Sequence, residues 1–120
     1  MRGMRQKEPL EETAELGTVT IGGDPAAVET RGEVRDLPVI SPGGFLWAPS
    51  RGEQVLVIKG GPGGEEQCVA GRVQDGSGLW PGEILLYCGK ASIKLDREGQ
   101  ISLNGKLFIN GKPYVAPLAV

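Results

Sequence analysis

The chain has no histidine, only two cysteines, two each of Trp, Tyr and Phe, and no apolar run long enough to cross a membrane. Without histidine, imidazole base catalysis, Ser-His nucleophiles and His-ligated metal sites are all excluded, and no cofactor is expected. Cys68 and Cys88 lie apart with no CxxC pair, which reads as small buried hydrophobes, with a disulfide between them as the alternative. Neither sign of charge dominates: the net charge is −2 and the basic residues are scattered, leaving no footprint for nucleic acid or an anionic membrane. With no signal peptide in view, the expected site of synthesis is the cytoplasm.

What the chain has in quantity is glycine, 20 residues, and proline, 9, beside 39% apolar content. That mixture is too apolar for a disordered tract and fits many short strands joined by tight turns. A length of 120 residues accommodates one small domain and an appendage. Residues 1–15 are charged and without period, so they read as an arm or short helix outside the core, either disordered or ordered by a partner. From Leu16 the runs LGTVTI, AAVETR, EVRDLPVI, EQVLVIK, QCVAGRV and EILLYC alternate with Gly/Pro turns, the pattern of a small antiparallel barrel or sandwich. Pro38 cannot donate to a ladder and predicts an edge, bulge or corner. The nearly continuous QVLVIK run predicts a central strand buried on both faces.

The C-terminal third carries the strongest pattern. Ile93, Leu95, Ile101, Leu103, Leu107, Ile109 and Val115 all fall on odd positions, opposite a mostly polar even set. A six-residue period lies over this alternation in GQISLN, GKLFIN and GKPYVA, with corners at Gly99, Gly105 and Gly111. So few units cannot cover their own apolar stripe, which predicts association with copies of the same chain. The competing reading is a set of local hairpins, for which Asn104-Gly105 and Asn110-Gly111 are strong type I′ signals.

Other features read as structure rather than chemistry. Gly60-Gly61-Pro62-Gly63-Gly64 lacks the Lys-Ser/Thr of a phosphate loop. Asp96 and Glu98 read as solvated turn charges, not an acid–base pair. Trp47 and Trp80 could stack on bases, but residues 16–82 hold four Arg and one Lys against at least as many acids, so rim packing is preferred.

Taken in order, Gly17-Thr18-Val19, Leu37-Pro38-Val39, Ser41-Pro42-Gly43-Gly44, Trp47-Ala48-Pro49, Gly52-Glu53-Gln54-Val55-Leu56-Val57, Val69-Ala70-Gly71 and Pro81-Gly82-Glu83 lead into the hexads. This succession, over about 100 of the 120 residues, resembles the central spike proteins of contractile phage tails and related contractile injection systems. The resemblance implies an all-β chain: an oligonucleotide/oligosaccharide-binding (OB)-like barrel over 16–82 and a short, intertwined trimeric β-helix needle over 83–120. It implies a non-enzymatic homotrimer, assembled in the host cytoplasm and mounted on a baseplate hub protein at the virion tail tip, which pierces the target cell envelope on contraction. The needle is very short, and a His-ligated tip metal is missing. The alternative is a binding module in which an isolated OB-like barrel recognises a glycan or nucleic acid.

Overall fold

A computed structural model describes residues 13–76 and 78–117. The first twelve residues of the expected arm and the last three of the expected needle lie outside the described residues. Those described form ten strands and no helix, and they divide into two compact units that meet between Gln74 and Asp75. The chain is all-β, as its turn-rich composition predicts.

The first unit is a five-stranded antiparallel sheet built from β1 (Ala14–Ile21), β2 (Ala26–Glu29), β3 (Glu33–Leu37), β4 (Gln54–Gly60) and β5 (Glu66–Arg72), in the order β3-β2-β1-β4-β5. Its core is rich in valine: Val19, Val28, Val55, Val57 and Val69 are fully buried, joined by Ala26 and Leu37, with Val34, Val39 and Trp47 packed against them. Small β-branched side chains suit this surface, because they lose little rotamer freedom on a pleat. At Gly17 a Cβ would come within 2.5 Å of Val28 Cγ1, so β1 and β2 reach this spacing only with glycine there.

Several expectations need correction. β1 begins at Ala14, so Ala14 and Glu15 belong to the sheet rather than to the arm. β4 is central, between β1 and β5, but it is buried on one face only: Val55 and Val57 point inward while Ile58 is exposed. The sheet is open, and no continuous ladder closes it into a barrel. The reason lies at Pro38, which ends β3 and leaves only one parallel bridge, Val39 to Val69, where Val69 N–H donates to the Pro38 carbonyl (2.9 Å) and Ile40 N–H to the Val69 carbonyl (2.7 Å).

The second unit holds a three-stranded antiparallel meander, β6 (Ile84–Cys88), β7 (Ala91–Leu95) and β8 (Ile101–Asn104), and a hairpin of β9 (Phe108–Ile109) and β10 (Lys112–Pro113). Within the single chain the hexads therefore pair as local hairpins and do not coil into a β-helix. Local turn chemistry explains this. Gly89-Lys90 is a two-residue loop with Gly first at positive φ, and Asn110-Gly111 places both residues at positive φ as a type I′ turn requires. Between β7 and β8, Gly99 N–H donates to the Asp96 carbonyl and Asp96 N–H to the Gln100 carbonyl, a type I turn with Gly99 in the left-handed bulge position.

The structural division falls ahead of the boundary expected at Gly82, and the cause is a carboxylate. Glu83 accepts hydrogen bonds from Trp80 N–H (3.0 Å) and Arg97 N–H (3.1 Å), and the Arg97 guanidinium lies 4.4 Å over the Trp80 ring. Residues 80–83 are thereby tied to the β7–β8 turn, within the second unit.

Candidate assembly surface

The registers of the meander decide which side chains share a face. Leu86 pairs with Ile93 and Ile84 with Leu95; on the other side of β7, Ile93 pairs with Leu103 and Leu95 with Ile101. Directly opposed residues of an antiparallel ladder project to the same side, so these six form one continuous apolar face. The reverse face carries Leu85, Tyr87, Ser92, Lys94, Ser102 and Asn104, where the Asn104 amide donates to Ser92 Oγ across the strands (3.2 Å).

The apolar face of this sheet is the more exposed one. Ile84, Leu86, Ile93, Leu95, Ile101 and Leu103 are all exposed, whereas on the other face Leu85, Ser92 and Lys94 are half-buried and Tyr87, Ser102 and Asn104 are exposed. Taken together, the exposed fractions of the six equal about three fully exposed aliphatic side chains, a contiguous patch of the few-hundred-Å² size that marks interaction sites. The remaining predicted core residues, Leu107, Ile109 and Val115, are exposed too. The structure thus gathers Ile93, Leu95, Ile101 and Leu103 on one sheet. It puts Ile109 on the separate hairpin and Val115 beyond it.

Leu107 shapes the patch into a groove of about 390 Å³, lined along its floor by Leu86, Ile93 and Leu103. It gets there because the chain leaves β8 at Gly105, where a Cβ would meet Ala91 Cβ at 3.3 Å and φ is +128°. The three predicted corner glycines therefore have different tasks: Gly99 and Gly111 turn hairpins, while Gly105 lets the chain cross close to β7. The hairpin signal at Asn104-Gly105 is not used as a hairpin.

Sequence reasoning missed the contribution of β6. EILLYC counts among the predicted strand runs and the predicted apolar stripe starts at Ile93, although the alternation of Ile84 and Leu86 continues that set across the Gly89-Lys90 turn. It also missed Glu83, whose side chain is 5% exposed. The Trp80 and Arg97 backbone amides hold its carboxyl below the usual carboxylate range, and Lys94 at 3.9 Å adds to the effect.

The other chemistry-bearing groups have structural employment. Asp96 Oδ1 accepts from Glu98 N–H and Gln100 N–H, so it shapes the turn and is not paired with Glu98 for proton transfer. Trp47 packs on the first unit's core, and the Trp80 ring, 61% exposed, carries the Arg97 guanidinium over one face. Cys68 and Cys88 are free thiols, and Cys88 is exposed rather than buried as expected. Gly60 to Gly64 span the end of β4 and its turn toward β5, where Gly64 N–H bonds the Gly61 carbonyl. No family model and no curated protein matches the chain.

Proposed function

We propose that this chain is a structural, non-enzymatic protein that trimerises through its second unit into a short all-β needle at the baseplate tip of a contractile tail or related injection particle. Seated on the hub, it transmits the force of contraction and helps breach the target cell envelope. One observation carries the reading: a well-formed sheet whose hydrophobic face is the more exposed one. Among the described residues of the second unit none covers that face, whereas three copies arranged about an axis would bury it in a shared interior.

The first unit fits the role of an OB-like barrel. Its strand order and the parallel bridge from Val39 to Val69 bring the two ends of the sheet against each other, the arrangement of a five-stranded, partly open barrel. Phe45 and Leu46, exposed after the Pro42–Phe45 turn, offer the hub an apolar contact. Labelling tests this reading. Antibody against the chain should mark the tail tip of purified contractile particles from the source cells; particles that lack the chain, or carry it along the sheath, contradict the proposal.

A further inference from the structure

The edges of the two sheets are guarded differently. Exposed strand edges invite pairing with other chains, and proteins blunt them with charges, proline or bulges. In the first unit edge strand β3 carries Glu33, Arg35 and Asp36, the last at φ +59°, and edge strand β5 carries Glu66 and Arg72 with Gly71 at φ +101°. In the meander of the second unit the edges are β6 (ILLYC) and β8 (ISLN), with no charge and no proline in either; the only charge in the strands of that sheet, Lys94, sits on the central one. One chain thus protects one sheet and leaves the other bare.

The hydrogen-bond phase of these bare edges follows from their turns. A two-residue loop makes Cys88 and Ala91 a hydrogen-bonded pair, so along β6 Leu86 and Ile84 also bond to β7 and the N–H and C=O of Leu85 point outward. The Asp96–Gln100 bond sets the phase on the other side: Ser102 and Asn104 bond to β7, and the backbone groups of Ile101 and Leu103 point outward. The outward residue of β6 therefore has its side chain on the polar face, while those of β8 have theirs on the apolar face.

That difference dictates strand direction. Antiparallel pairing of β6 with a neighbour's β8 would bond Leu85 directly to Ile101 or Leu103 and join a polar face to an apolar one. In parallel pairing Leu85 bonds to the residues on either side of Ser102 and lies opposite Ser102 itself, so polar meets polar and Ile84 and Leu86 continue the face of Ile101 and Leu103. β6 and β8 already run in the same direction within the meander, and rotation about an axis along the strands preserves this direction.

We propose that in the trimer, on whose existence this inference rests, β6 of each copy pairs in parallel with β8 of the next, Leu85 opposite Ser102. Three meanders then close into a nine-stranded ring with the apolar face inside and Lys94 outside. Homotypic pairing, β6 with β6, would leave both β8 edges and the apolar face open.

Amide hydrogen exchange on the full chain, read residue by residue by NMR beside its mass by light scattering, tests this. The expected result is a trimer in which the Leu85 and Leu103 amides, donating to the Ile101 and Leu85 carbonyls of the neighbouring copy, exchange at least about a hundredfold more slowly than in an unstructured chain, as the inward Leu86 and Ile93 amides do. A trimer with fast exchange at both refutes the edge pairing and leaves the trimer standing. Protection of Leu85 alone means homotypic pairing and overturns the ring. A stable monomer overturns both the ring and the assembly beneath it.

Discussion

Replacing Ile101 by Asp separates an assembly core from a chain's own core, because in the single chain Ile101 is 66% exposed. A carboxylate there costs an isolated protomer little. In the assembly the remaining two-thirds of the side chain is buried, a gain of about 1–2 kcal/mol per chain that the substitution forfeits. An unpaired carboxylate left in an apolar interior adds roughly 3–5 kcal/mol per chain. Three such sites near one axis raise the loss to about 12 kcal/mol or more, which at 1.4 kcal/mol per decade weakens the trimer by about eight orders of magnitude. Ile101→Asp should therefore sediment as a folded monomer with its first unit intact by circular dichroism and NMR. Ser102→Asp, on the reverse face and directly opposite Lys94, should remain trimeric. Equal behaviour of the two variants refutes the assignment of faces. An Ile101→Asp chain with both units unfolded refutes the idea that the side chain serves the assembly alone.

Four further outcomes are expected. The fragment ending at Gln74 keeps the whole valine core, so it should be a folded monomer by light scattering; a trimeric fragment would locate the interface in the first unit. Val57→Ala, at a fully buried site, should lower the stability of the first unit by about 1–3 kcal/mol in urea while leaving the mass of the full chain unchanged. The Glu83 carboxyl is held low by its two backbone donors, so the stability it contributes is present above its unfolded value of 4.5 and lost as the pH falls through its lower folded value; Glu83→Gln should flatten the decline of melting temperature below pH 4.5, and part of that decline should persist from Glu15 and Glu33, whose carboxyls are lowered by Lys59 and Thr20 respectively. Removing residues 1–12, ahead of the first strand, should leave the chain trimeric; loss of the first unit's fold would show that residues 1–12 are needed for its core.

Period-2 alternation and Gly/Pro spacing were enough to read the strands, since both report local backbone geometry. β2, β4, β5 and β6 lie within a residue or two of their apolar runs. That the first sheet stays open was not legible, because the barrel expected over 16–82 depends on pairing between residues about thirty apart, where the structure has the isolated Val39–Val69 bridge and no local pattern encodes the difference. The apolar face was legible as a stripe on Ile93, Leu95, Ile101 and Leu103. Its width was not, because Ile84 and Leu86 join it only through the register that the Gly89-Lys90 turn imposes. The hexad glycines look alike in sequence, yet Gly105 differs from Gly99 and Gly111 through its approach to Ala91, a tertiary contact. Glu83 escaped notice because its role depends on backbone amides at Trp80 and Arg97, whose identities carry no signal.

Sedimentation equilibrium of the full-length chain at micromolar concentration tests the central claim, that the bare face of the second unit is an interface between copies, most directly. The account predicts a single species of three times 12.7 kDa, about 38 kDa, that persists on dilution. A well-folded species of 12.7 kDa at those concentrations would contradict it.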